Sequence, residues 1–114
     1  MGFVKVCETT DVPEGKMTKV QVGNVEVLIA NIRGEYFAVG NRCTHMGGDL
    51  SRGELNEYII TCPHNGSKFD VRSGEAVVGP RTLFIKLKVQ SIPTYTLKIE
   101  ARNLMINTCQ RRAS

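Results

Sequence analysis

The chain has 114 residues, 15 Lys and Arg against 11 Asp and Glu, a formal charge of +4, and 41% hydrophobic and 23% charged residues. This length suits one domain with a modest core and leaves no room for a second. The composition is that of an ordinary globular protein, and no apolar run approaches the ~20 residues of a membrane span.

The N-terminus, Met1-Gly2-Phe3-Val4-Lys5-Val6, lacks the basic and long apolar regions of a secretory signal, so a cytoplasmic location is expected. Basic residues are dispersed except for Arg111-Arg112. Without a basic stripe interleaved with aromatics, nucleic acid is not an expected partner. The positive excess could steer an acidic protein partner, although a solvated surface is the simpler reading.

In chain order, alternating or β-branched segments predict strands at Phe3 to Val6, Met17 to Val22, Val25 to Ile32, Tyr36 to Val39, Tyr58 to Cys62, Lys68 to Val71, Phe84 to Val89 and Thr94 to Glu100. Turn residues separate them, and no helical pattern intervenes, so the expected class is an all-β antiparallel sandwich or barrel. Gly23-Asn24 and Arg33-Gly34-Glu35 supply residues that tolerate positive φ and predict hairpins, giving a three-stranded meander. Turns are also expected at Asp11 to Gly15, Arg72 to Glu75 and Gly79-Pro80. Residues 101–114 show neither strand alternation nor a helical face and are read as a weakly packed C-terminal tail after a domain spanning 1–100.

Two Cys-x-His pairs, Cys43-Thr44-His45 and Cys62-Pro63-His64, stand sixteen residues apart and contain both histidines of the chain. Each pair ends a predicted strand and enters a loop, at about 41–50 and 62–68, so the two loop tips can face each other and hold one metal unit. Gly47, Gly48 and Gly66 either form turns or let backbone amides approach bound sulfur, and the two roles are compatible. Thiolates and neutral imidazoles are soft to borderline donors. The set Cys43, His45, Cys62 and His64 therefore suits tetrahedral zinc or a [2Fe-2S] cluster whose second iron takes the imidazoles. Cys7 and Cys109, near opposite termini, read as small hydrophobes rather than a disulfide pair.

In these motifs the chain resembles the Rieske family, which holds [2Fe-2S] with two Cys and two His. The resemblance runs from about Phe3 to Ile99. It is most specific across Cys43-Thr-His-Met-Gly-Gly-Asp-Leu-Ser-Arg-Gly53 and Cys62-Pro-His-Asn-Gly-Ser-Lys-Phe-Asp-Val-Arg-Ser-Gly74, and it extends to Gly79-Pro80. It implies a Rieske-like β fold with a two-loop cluster-binding subdomain. One departure concerns the ligands: the family's second histidine falls three residues after the cysteine, where this chain has Asn65, and His64 comes one residue early. A neutral amide is a poor iron ligand. Since the first pair already uses the one-residue spacing, the expected ligands are Cys43, His45, Cys62 and His64. A lost ligand position, with His64 a bystander, is the competing reading.

With two ferric ions balanced by two sulfides and two thiolates, such a core is formally uncharged. It is easier to reduce than an all-thiolate one, with potentials of about −150 to +300 mV against about −400 mV for plant-type ferredoxins. The resemblance places Ser67 where high-potential members carry a sulfur-bonding serine, Phe69 where they carry a tyrosine, and Gly48 and His64 where they carry stapling cysteines. A carrier with at most partial upward tuning is implied. No dinucleotide loop or mononuclear iron triad is present, and four protein ligands leave no open position for substrate, so no catalysis is expected of the chain alone.

The implied role is a monomeric one-electron carrier that takes an electron from a reductase and gives it to an oxygenase or another terminal acceptor. Its docking surface would surround His45 and His64, with Met46 and Lys68 as candidate contacts whose simpler role is loop packing and solvation. A cluster-deficient accessory subunit and a zinc-stabilised interaction module are the alternative readings.

Overall fold

A computed structural model describes residues 2–42, 48–63, 66–78 and 91–111, with the last few in backbone only. Its strands are β1 (Val4–Glu8), β2 (Met17–Val22), β3 (Val25–Ile32), β4 (Glu35–Gly40), β5 (Glu54–Asn56), β6 (Ile59–Thr61), β7 (Lys68–Asp70), β8 (Ala76–Val78), β9 (Thr94–Glu100) and β10 (Asn103–Arg111). Short 3-10 turns occupy Thr9–Asp11 and Leu50–Arg52, and no α-helix occurs among the described residues.

The meander begins as the turn residues require. Val22 pairs with Val25 across Gly23-Asn24, and Ile32 pairs with Glu35 across Arg33-Gly34. The second turn is thus one residue tighter than expected, because Arg33 itself takes the left-handed conformation, with φ 55°. Among the described residues all pairings are antiparallel; one sheet has six strands in the order β1-β10-β9-β4-β3-β2, and the second has four in the order β5-β6-β7-β8. The first sheet curls until β1 approaches β2, forming a nearly closed barrel.

Two apolar clusters organise these layers. Val27 and Ile29 of β3 pack with Val12, Ala38, Tyr95, Leu104 and Ile106 inside the barrel. Leu28, Ala30 and Ile32 point the other way, with Phe37 and Val39, onto Leu50, Ile60, Cys62, Phe69, Val71 and Ile92 of the smaller sheet and its loops. Successive strand residues face opposite sides, so β3 supplies both clusters and needs apolar residues at both parities. Asn31 is the polar exception: its amide donates to the Val12 carbonyl at 2.8 Å and its oxygen accepts from the Gly34 amide at 2.9 Å. Buried polar groups are tolerated when bonded in this way.

The expected tail is corrected. Asn103–Arg111 is a strand in the interior of the six-stranded sheet, paired with β1 and β9, and Leu104 and Ile106 are fully buried. Its entry turn, Ala101-Arg102, contains neither Gly nor Asn, yet Ala101 adopts φ 57°. Two buried or half-buried Asn, 103 and 107, dilute the alternation. The strands β5 and β8 are also additions to the sequence reading, each only three residues long. The expected strand from Phe84 to Val89 lies outside the described residues.

Beneath the smaller sheet, Tyr58 meets the Phe37 ring edge-on, with centroids 5.9 Å apart, and carries the Arg72 guanidinium 4.2 Å from its own centroid. Arg72 also forks onto Asp70, with bonds of 3.0 and 2.7 Å. These Arg72 bonds, aided by the Arg72 amide and outweighing partial desolvation, hold the Asp70 carboxyl below the usual range. A depressed native value adds stability that is complete above the unfolded value of about 3.9 and is lost as pH falls from there toward the native value.

Two outcomes are expected. Leu104→Ala should destabilise the protein by ~2–5 kcal/mol in urea unfolding, whereas a frayed tail would leave the midpoint unchanged. Asp70→Asn should lose less stability than the parent between pH 6 and pH 3; equal losses would remove Asp70 from the acid transition.

Candidate metal centre

The first Cys-x-His loop leaves the barrel where β4 ends. The Gly40 amide donates to the Pro93 carbonyl at 2.8 Å, and the Asn41 amide to the Glu26 carbonyl at 3.1 Å, which fixes the exit direction. Arg42 and Asp49 form an isolated antiparallel bridge, and the Leu50 amide donates to the Asn41 carbonyl at 2.8 Å. The two limbs of the loop are therefore tied together on either side of the Cys43–Gly47 segment. Leu50, fully buried, anchors the returning limb in the cluster that also contains Cys62.

The second loop continues a strand ladder. Beyond the Thr61 to Lys68 pair, the Cys62 amide donates to the Ser67 carbonyl at 2.7 Å, and the Cys62 carbonyl accepts from the Gly66 amide at 3.1 Å. Gly66 has φ 76°, a conformation that a side chain would strain. Cys62 and Ser67 are both buried, and so is Phe69 two residues on.

The two loops are neighbours because of Gly53. A Cβ there would stand 1.9 Å from the Thr61 carbonyl oxygen, so only glycine lets the returning limb of the first loop lie against β6 one residue before Cys62. Both loop bases are thereby held at one end of the smaller sheet.

Of the four expected ligands, Cys62 is placed in this way; Cys43, His45 and His64 lie outside the described residues, as do Met46 and Asn65. Cys62 is only 1% exposed and packs among apolar side chains, where a thiolate persists only when a cation or metal balances it. A buried sulfur at the root of one loop, beside the base of a second loop whose sequence supplies another Cys and a His, fits a thiolate- and imidazole-bound iron-sulfur unit. Lys68 is exposed, as a contact residue must be. Ser67 is buried within the loop, and Phe69 is committed to the core cluster, where it offers no hydroxyl.

The sequence reading did not single out the side chains that flank the first loop, Asn41, Asp49 and Ser51. Their signal was available in part, since Asp49 two residues before Ser51 has the form of a capping aspartate. Desolvation pushes the Asp49 carboxyl up, but bonds from Ser51, Asn41 and Lys19 outweigh it and hold the carboxyl far below the usual range.

Comparison with known proteins agrees with this geometry. The family model for the Rieske [2Fe-2S] domain matches residues 2–95. The chain is 36% identical over 97 residues, 85% of its length and 86% of the relative's, to the ferredoxin component of a naphthalene 1,2-dioxygenase system from Pseudomonas aeruginosa. Its structure is similar to the Sphingomonas yanoikuyae B1 ferredoxin, with a TM-score of 0.81 and 27% identity over 94% of this chain and 99% of that one. It also matches a chain in the complex of reduced oxygenase and oxidized ferredoxin in carbazole 1,9a-dioxygenase. There the TM-score is 0.84 and the identity 21%, over 98% of this chain and 97% of that one, a likeness of fold. With one buried cysteine seated at the root of a glycine-bounded loop, a second tied loop beside it and a family match over most of its length, the chain belongs to the Rieske [2Fe-2S] domain family.

Proposed function

We propose that this chain is the ferredoxin component of a multicomponent oxygenase system, carrying single electrons from a reductase to an aromatic-ring dioxygenase. The observation that carries this reading is mutual coverage with a dioxygenase ferredoxin component, 85% of this chain against 86% of the relative at 36% identity. When bound, a [2Fe-2S] cluster supplies a one-electron acceptor and donor. The chain contributes its ligands, the burial that excludes water from Cys62 and the loop tips that meet a partner.

The ligand assignment is Cys43, His45, Cys62 and His64. Support comes from donor chemistry, since an imidazole outmatches the amide of Asn65 as an iron ligand, and from the one-residue spacing already present in Cys43-Thr44-His45. The carrier acts as a monomer that presents one end to two partners in turn. It works in the cytoplasm, where thiol ligands stay reduced.

Asn65 favours one second reading, an accessory subunit that keeps the Rieske fold without a working cluster. The family match over residues 2–95 weighs against the remaining zinc-stabilised module.

Electron paramagnetic resonance of the dithionite-reduced protein, with iron and sulfide counts, separates these. A rhombic signal with about two irons and two sulfides per chain is expected; an absent signal with little iron would establish the accessory reading, and one zinc per chain the module. Substitution then tests the ligand. His64→Ala should abolish iron binding. If it is harmless while Asn65→His raises cluster content, the assignment of His64 is wrong.

A further inference from the structure

At the base of the first loop, one buried amide and one half-buried carboxylate share their bonding capacity across the two limbs. Asn41, fully buried, donates from its side chain to Asp49 Oδ1 at 2.8 Å and to Glu26 Oε1 at 3.2 Å, while its own Oδ1 accepts from the Ser51 amide at 2.9 Å. Asp49 Oδ1 also accepts from the Ser51 hydroxyl at 2.6 Å and the Ser51 amide at 3.1 Å. Lys19 of β2 reaches Asp49 Oδ2 at 3.3 Å, and Arg42 holds Glu26 of β3 at 2.9 Å. The loop's departing limb, its returning limb and two barrel strands thus converge on one bonded cluster.

These side-chain bonds lie outside the β2–β3 and β3–β4 ladders, which pair through the backbone. Asn41 lies two residues before Cys43 and Asp49 four residues after His45, so whatever they fix is the footing of those two side chains. Supporting hydrogen bonds of this kind set how firmly metal ligands are presented.

We propose that Asn41 and Asp49 are positioning residues that clasp the footing of the Cys43 to Gly47 loop and thereby set how tightly the chain holds its iron-sulfur unit. The proposal rests on the cluster-carrier reading above, but the clasp itself exists without the cluster. The carboxylate acts mainly through its oxygen geometry. Its pairings with Lys19 and with Arg52, at 3.7 Å with Arg52 83% exposed, are surface contacts of small effect.

The test compares Asp49→Ala and Asp49→Asn with Leu104→Ala, a destabilised variant in the other apolar cluster, by the rate of iron release from the loaded protein to a chelator. Asp49→Ala should release iron at least about tenfold faster than the parent and broaden the resonance of the reduced cluster. Asp49→Asn, which keeps an acceptor oxygen for Ser51 and Asn41, should stay within about threefold. Leu104→Ala should melt at lower temperature without faster release or broadening. Parental release from Asp49→Ala, or release from Leu104→Ala that matches it, would overturn the proposal. If the parent binds no cluster, the carrier reading fails and the clasp is read alone by amide hydrogen exchange. Protection of the Leu50 and Ser51 amides that disappears in Asp49→Ala supports the clasp, and absence of that protection in the parent overturns it.

Discussion

The structure depends on one strand being buried on both faces. β3 carries Val27 and Ile29 into the barrel and Leu28, Ala30 and Ile32 onto the smaller sheet, so a single eight-residue segment joins the two layers. An isolated four-stranded sheet with strands of three residues has little apolar area of its own; the β3 and β4 side chains supply its missing face. Full burial of a Leu or Ile contributes ~1.5–3 kcal/mol, and β3 does this repeatedly without a loop crossing between the layers. The end of the smaller sheet that carries the two loops is therefore referenced directly to the barrel.

The proposed metal centre takes its position from this arrangement. Cys62 belongs to the same apolar cluster as Leu28 and Leu50, so the layer that packs the sheet also seats the sulfur. Polar groups do the remaining work at the loop footings, where the backbone leaves the ladders and must find partners elsewhere. The ion pairs on the surface, such as Arg33 with Glu57 and Lys98 with Glu100, are solvent-exposed and add little.

Much of this was legible in the sequence because the signals were local. β2, β3 and β9 fall where alternation and flanking turns put them, and Cys62 comes directly after β6, at the end of the strand read from Tyr58 to Cys62. β10 was missed because its turn, Ala101-Arg102, depends on a left-handed alanine that no propensity announces, and because its partners, β1 and β9, include one nearly the whole chain away. β5 and β8 are too short to carry a period and exist only through pairing. In the site, residue types revealed candidate ligands, but the closeness of the two loops turned on Gly53, whose reason is a carbonyl on another strand. The joint use of Asn41 by Asp49, Ser51 and Glu26 was invisible for the same reason: it is a three-dimensional sharing of lone pairs and protons.

The ladder that continues past β6 has a further consequence. Both backbone groups of Cys62 are already engaged, its amide with Ser67 and its carbonyl with Gly66, and its side chain is buried. These bonds and this burial fix both the backbone and the side chain of Cys62 within the fold, where ordering a residue carries an entropic cost. Under the proposed ligand assignment, a residue held in this way would lower the ordering cost of binding and serve as a fixed anchor for the cluster.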